Sequence, residues 1–147
     1  MKNVKFKAFF SLIVLLLLDL SPAAHFLLKT ELLLVGIIFL SFYLSFDYVL
    51  LLSLFFGMLK DLMMFNSVPI FTLAFIFTVT VIEYLLWYVP KKPLMKVIVV
   101  ATVISVNIII NSFALEDFSF IFSVNFFIQS FVFFYVFDRI LKKLIYR

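Results

Sequence analysis

The sequence contains no cysteine and a single histidine, His25. Without cysteine there is no disulfide framework, no thiol nucleophile and no thiolate metal site, and one histidine is too few to build a metal centre. We therefore expect neither a metal nor another cofactor. We interpret His25 as an interfacial residue that follows the first helix.

Turn-forming and charged residues are also scarce. Two glycines and four prolines are too few to punctuate the many short strands of a sandwich. Only 14% of the residues are charged, 67% are hydrophobic, and the mean hydropathy is +1.29. A soluble domain of this length needs more polar surface than that to cover its core. The apolar runs are continuous rather than alternating, which favours helices over membrane-spanning strands.

Six apolar segments are separated by short polar breaks. They predict an all-α integral membrane protein: one domain over residues 1–147, with six transmembrane helices and no globular domain outside the bilayer. The first two segments are shorter than a typical span, so they either thin the bilayer or extend toward each other through residues 23–28. The predicted helices cover about 6–21, 31–45, 47–65, 68–89, 94–114 and 118–141.

The distribution of basic residues predicts the orientation. If the N-terminus is cytoplasmic, every Lys and Arg except Lys29 and Lys60 falls on the cytoplasmic side. Short loops rich in Lys and Arg stay in the cytoplasm, so we expect both termini there. A cleaved signal peptide is an alternative interpretation of the basic start and first apolar run. Asp19 and Pro22, close to where cleavage would occur, favour a retained helix.

Ser53, Gly57 and Asp61 are spaced by four and therefore share one face of the third helix. Small residues at this spacing allow a neighbouring backbone to approach closely. One interpretation is a packing seam that ends in an interfacial carboxylate, with Lys60 extending to the outer interface. The other is a carboxylate held for a partner or for an internal hydrogen-bond network.

Further polar residues lie within the later apolar segments. Four amides are expected to face the bundle interior, because an unpaired amide in hydrocarbon costs several kcal/mol. They would act as interhelical hydrogen bonds or line a polar ligand pocket. The lone carboxylate of Glu83 is expected to reach the interface or to pair with Lys91 or Lys92. The four amides are Asn107 and Asn111 in the fifth segment and Asn125 and Gln129 in the sixth.

The sequence shows no pattern typical of an enzyme or a transporter. It has no nucleophile beside a base, no glycine-rich phosphate loop and no paired ligand histidines. The carboxylates do not form a chain across the membrane, which disfavours proton-coupled transport. The net charge of +4 is explained by the cytoplasmic loops and does not indicate nucleic-acid binding. The residues thus predict a non-enzymatic bundle that binds other membrane proteins or a small ligand.

The chain resembles the MreD family, the small multi-spanning subunit of the bacterial rod-shape machinery. The likeness lies in Leu18-Asp19-Leu20-Ser21-Pro22, in the basic stretch Asp138 to Lys143, and in Phe56-Gly57-Met58-Leu59-Lys60-Asp61-Leu62, which matches a Gly-x-x-x-Asp-Leu element. The resemblance implies a non-enzymatic scaffold of the inner membrane for cell-wall elongation. The implied partners are an MreC-like subunit, a RodA-type polymerase and a class B penicillin-binding protein, with self-association left open. The phenylalanine-rich stretch 118–137 is either a candidate partner surface or, equally, a surface in plain contact with lipid.

The same resemblance supplies an alternative function. The MreD fold is similar to the six-helix substrate-binding subunits of energy-coupling-factor vitamin transporters. Asn107, Asn111 and Asn125, which are expected in the outer half of the bilayer, could then line a small-molecule pocket. Those subunits carry Ala-x-x-x-Ala motifs on the first helix for docking the coupling subunit. The stretch from Ala8 to Leu18 has no such motif, which favours the scaffold.

Overall fold

The computed structural model describes residues 2–21, 31–64, 68–88, 93–115 and 120–146. Within these ranges every regular element is a helix, and no strand is present, so the all-α prediction is confirmed. The helices are α1 (Lys2–Asp19), α2 (Leu32–Ser41), α3 (Phe46–Met63), α4 (Ile70–Tyr88), α5 (Pro93–Leu115) and α6 (Phe120–Tyr146).

One difference from the predicted boundaries lies inside the bundle, at the end of α2. The apolar pattern predicts a helix to about residue 45, whereas α2 ends at Ser41. The carbonyl of Leu40 accepts the backbone N–H groups of both Tyr43 and Leu44, which tightens the chain into a turn. Hydropathy did not reveal this turn because its residues are apolar as well. At the chain's two ends, α1 begins earlier and α6 ends later than predicted.

The ten-residue helix α2 lies at the centre of the molecule, and all ten of its residues are buried. Its sequence is apolar on every side, as expected of a helix without a solvent-facing stripe. The other five helices form a closed ring in which α1 contacts α3, α3 contacts α4, α4 contacts α5, α5 contacts α6, and α6 contacts α1. Helix α2 packs against α1, α3, α4 and α6.

The contacts between helix termini show that successive helices run in opposite directions. The end of α1 meets the start of α2 and the end of α3 through Asp19, Leu32 and Lys60. At the opposite end of the bundle, Tyr43, just after α2, meets the start of α5 and the last third of α6. The polar residues of these contacts therefore lie at two levels, one at each end of α2.

Within the described residues, one helix is both long and apolar enough to cross a membrane, and it is Ile70–Tyr88. Two shorter apolar stretches are also present: α2 itself, Leu32–Ser41, and Lys96–Ile109 within α5. At 1.5 Å per residue, α2 is only about 15 Å long, against about 30 Å of bilayer hydrocarbon.

Candidate functional site: charged clusters at both ends of the central helix

Asp61, in the last turn of α3, holds the start of α4. Its Oδ1 accepts the backbone N–H of Phe71 at 3.0 Å, and its Oδ2 accepts the N–H and hydroxyl of Thr72 at 2.9 and 2.6 Å. The first N–H groups of a helix have no partner within the helix, and its N-terminus attracts negative charge. Asp61, with 5% of its surface exposed, thus supplies from a neighbouring helix the cap that α4 would otherwise need.

Gly57 makes this capping contact sterically feasible. A Cβ atom at this position would lie 2.5 Å from the Cα and 3.0 Å from the nitrogen of Thr72. Glycine is therefore required because the backbone of α4 passes directly over that of α3. Ser53, one turn earlier, is fully buried, and its hydroxyl donates to the carbonyl of Val49. Ser53, Gly57 and Asp61 all lie on the buried face of α3, with Gly57 and Asp61 against α4.

Asp19, at the end of α1, caps α2 in the same manner. Its Oδ1 accepts the N–H of Leu32 at 2.8 Å, and its Oδ2 accepts that of Leu33 at 3.0 Å. Two aspartates at helix ends thus each cap the helix that follows in the chain. Asp19 is buried, and so is the ammonium group of Lys60, which lies 3.5 Å from its Oδ2.

Lys60 is enclosed rather than directed to the interface, so the expected extension toward the outer surface is wrong. Only 2% of the residue is exposed. Its Nζ lies between the carboxylates of Asp19 and Glu31, the latter at 3.7 Å, and 4.2 Å from the ring centroid of Phe71. The two acidic neighbours and the aromatic ring offset part of the desolvation cost of burying this cation. We call Asp19, Glu31, Lys60 and Asp61 the outer cluster.

A second group of polar side chains lies at the opposite end of α2. The ammonium of Lys96 in α5 lies 2.5 Å from Asp138 in α6 and 2.7 Å from the hydroxyl of Tyr43, which itself donates to Asp138. The rings of Phe42, Tyr43 and Phe134 surround the same ammonium at 4.5 to 5.4 Å. We call Tyr43, Lys96 and Asp138 the inner cluster. It is half-buried, unlike the outer one.

The four amides of α5 and α6 differ in their surroundings. Asn107 is buried, and its Nδ2 donates to the hydroxyl of Thr78 in α4 at 2.8 Å and to the carbonyl of Val103 at 3.0 Å. Its side chain therefore joins α5 to α4 as an interhelical hydrogen bond. Asn125 and Gln129 are partly buried on α6. The side chain of Asn111 lies outside the described residues.

Other predicted positions are less informative. Glu83 is partly exposed on α4, and the cations proposed as its partners, Lys91 and Lys92, lie outside the described residues, as does His25.

The phenylalanines of α6 whose side chains are described mostly turn inward, contrary to the expectation of a phenylalanine-rich partner surface. Phe126 and Phe134 are buried, and four further phenylalanines of α6 pack against the core. The exposed side chains of α6 are mainly β-branched, at Val124, Ile128 and Val132.

Sequence reasoning missed the partners of these groups rather than the groups themselves. Asp19 stood out as an acidic residue within an apolar run, but its role as a cap for α2 depends on a contact thirteen residues further along the chain. The pairing of Lys96 with Asp138 was not expected, because the sequence identifies Lys96 only as a cation of the cytoplasmic side and indicates no partner for it. In both cases the sequence did show a charged residue close to the end of an apolar segment, which could have indicated a cap or an ion pair.

The chemistry available to these clusters is capping and ion pairing. Each carboxylate of the outer cluster whose bonds are described accepts from a backbone N–H or from Lys60. Among the described residues, no group of three or more His, Cys, Asp or Glu side chains is placed to hold a metal ion. The described interactions of the two clusters therefore hold neighbouring helices in their relative positions.

Comparison with models of protein families, with curated proteins and with solved structures finds no match to this chain.

Proposed function

We propose that this chain is a bacterial inner-membrane protein with six transmembrane helices and cytoplasmic termini, which positions other membrane proteins and performs no chemistry itself. The observation that carries the membrane assignment is the apolar outer surface of the helical ring. Each ring helix presents large hydrophobic side chains outward, among them Leu17, Leu51, Leu73, Ile98 and Ile128. Soluble monomers rarely expose contiguous apolar surface of this extent.

The aromatic residues at the end of α4 support the same assignment. Tyr84, Trp87 and Tyr88 are exposed, Trp87 by 82%, and lie in the last two turns of the helix. Tyr and Trp are enriched where helices cross the membrane–water interface, because their rings are apolar and their polar atoms need water. The predicted orientation puts this end of α4 at the cytoplasmic face.

The short central helix is compatible with a membrane protein because the ring surrounds it. Non-helical backbone at membrane depth is tolerated where protein shields it from lipid. The charged side chains of the outer cluster face protein in the same way, at the N-terminal end of α2. Ionisable groups in membranes usually face the bundle interior and pair with one another.

The scaffold function is proposed from the resemblance to the MreD family. In this chain Gly57 and Asp61, the matching residues, join α3 to α4 and are buried. The shared element would therefore define the fold, and partner binding would use the outward faces of the ring. Without a hydrophobic driving force between helices in lipid, such faces associate by close packing and hydrogen bonds.

The direct test is co-purification with partners combined with depletion. The chain, extracted in mild detergent, is expected to retain the single-span MreC-like protein of the same organism, and its depletion is expected to round the cells. A photo-crosslinking amino acid at Ile128, on the outward face of α6, is compared with one at buried Phe126. We expect adducts with a partner from outward positions on the ring and none from Phe126.

The outcomes separate the two candidate functions. Normal rod shape together with lost uptake of a vitamin would replace the scaffold by the transporter subunit. Equal adduct yields from Ile128 and Phe126 would show that the crosslinks do not report the proposed surface.

A further inference from the structure

An apolar groove runs along the outside of the molecule between residues 6–15 of α1 and Phe137 of α6. Its volume is about 330 Å³, which lies in the range of ligand pockets. The hydroxyl of Ser11 donates to the carbonyl of Ala8 and so is satisfied within its own helix. The groove is lined by Phe6, Lys7, Phe10, Ser11, Val14, Leu15 and Phe137.

The shape of the groove suits a single aliphatic chain. From Phe6 to Leu15 it extends about 13 Å along α1, at 1.5 Å per residue. Phe6, Phe10 and Val14 are exposed, so the groove is open to the surroundings along its length. A transmembrane helix of a partner fits less well, because such a helix is about 10 Å wide and spans about 30 Å, more than twice the length of the groove.

The basic residues at one end of the groove indicate which kind of headgroup the bound aliphatic chain carries. Lys7 is part of the lining, and it lies at the end of the bundle where α1 begins and α6 ends. Exposed Lys5, Arg139 and Lys143 belong to the same end. A cationic rim above an apolar groove complements an anionic headgroup above an acyl chain.

We propose that this groove binds an anionic phospholipid of the cytoplasmic leaflet. One acyl chain lies between α1 and α6, and the phosphate group contacts the ammonium of Lys7. The proposal rests on the membrane assignment made above, since it requires the groove to face lipid. It assigns Lys7, which lines the groove, a role that Arg139 does not share, because the groove is not lined by Arg139.

The test compares two lipids with identical acyl chains, phosphatidylglycerol and phosphatidylcholine. Delipidated protein in detergent is titrated with each lipid, and native mass spectrometry counts the molecules retained. A basic residue near an anionic lipid is worth about 1 kcal/mol, so we expect roughly fivefold tighter retention of phosphatidylglycerol. Lys7→Gln should remove this preference, whereas Arg139→Gln, which loses the same charge, should keep it.

A second pair of variants tests the groove itself. Val14→Trp fills the groove and should lower retention of both lipids, whereas Ile128→Trp adds the same ring to an exposed position on α6 and should not. Equal retention of the two lipids by the unmodified protein would overturn the proposal. Equal effects of Lys7→Gln and Arg139→Gln on the preference for phosphatidylglycerol would also overturn it. The same holds if the protein is a dimer that Val14→Trp dissociates without loss of bound lipid.

Failure of this proposal is distinguishable from failure of the membrane assignment. Extraction of cell membranes with alkaline carbonate leaves an integral protein in the pellet whether or not its groove binds lipid. A carbonate-resistant protein with no lipid preference refutes the groove alone, and a carbonate-soluble protein refutes both.

Discussion

At the scale of single residues, the two glycines of the chain differ in what surrounds them. A Cβ on Gly57 would lie 2.5 Å from a backbone atom of Thr72, whereas a Cβ on Gly36 would lie 2.5 Å from Leu15 Cδ1, the end of a flexible side chain. A leucine can adopt another rotamer, but a helix backbone moves only with its whole element. The same added methyl group therefore has different consequences at the two sites.

Gly57→Ala should lower the free energy of unfolding by about 1–3 kcal/mol, the usual cost of overpacking a filled interior. Gly36→Ala is the matched control and should cost less, because the side chain of Leu15 can yield and alanine favours the helix by up to about 1 kcal/mol. The measurement is equilibrium unfolding of both variants in detergent. A larger loss for Gly36→Ala would contradict the close approach of α3 and α4.

The carboxylate of Asp61 gives a second prediction at this scale. Asp61→Ala leaves the N–H groups of Phe71 and Thr72 without their acceptor, and an unsatisfied buried polar group costs about 1–3 kcal/mol. Asp61→Asn keeps one acceptor oxygen and should lose less. Unfolding of the two variants under the same conditions provides the comparison. Equal stability of Asp61→Ala and the unmodified protein would rule out the capping role.

At the scale of elements, α2 is held by a lysine at each end. Lys60 joins α3 to Asp19 of α1 and to Glu31 at the start of α2, while Lys96 joins α5 to α6 and to Tyr43 just after α2. The two sites differ in burial, because Lys60 is enclosed, whereas Lys96 and Asp138 are about one-quarter and one-third exposed. Solvent screens the inner pair more than the outer one.

The lysine at the outer end is therefore predicted to matter more for stability. Lys60→Met leaves the carboxylate of Asp19 buried without this cation and also removes the ion pair with the partly buried Glu31. Breaking a buried pair costs about 3–5 kcal/mol. Lys96→Met removes a cation of similar length from a partly exposed pair and should cost roughly 1 kcal/mol. Unfolding in detergent measures both variants, and an equal or reversed order would show that the outer cluster is not the main polar tie of α2.

The sequence predicted the six helices of the described residues and their approximate positions, because long apolar runs between polar breaks are a local signal. It also placed Ser53, Gly57 and Asp61 on one face of α3 from their spacing alone. It could not predict that α2 ends at Ser41, since the turn that follows is apolar. Nor could it predict the pairs Asp19–Lys60 and Lys96–Asp138, because these depend on which helices become neighbours in the ring.

At the scale of the whole molecule, the alternating helix directions and the two polar levels agree with the basic-residue distribution. The outer cluster contains Lys60, whose charge is paired with the carboxylates of Asp19 and Glu31. The opposite end carries Lys5, Lys7 and Arg139. In the proposed orientation this basic end faces the cytoplasm, as short loops rich in Lys and Arg do.

Site-directed labelling tests this orientation most directly, and the absence of native cysteine gives a clean background. Val68 lies exposed between α3 and α4, and Ser45 lies exposed between α2 and α3. In intact cells a membrane-impermeant maleimide should label Val68→Cys and should not label Ser45→Cys until the membrane is permeabilised. Labelling of Ser45→Cys from outside, or protection of Val68→Cys there, would contradict a six-helix membrane protein with its N-terminus in the cytoplasm.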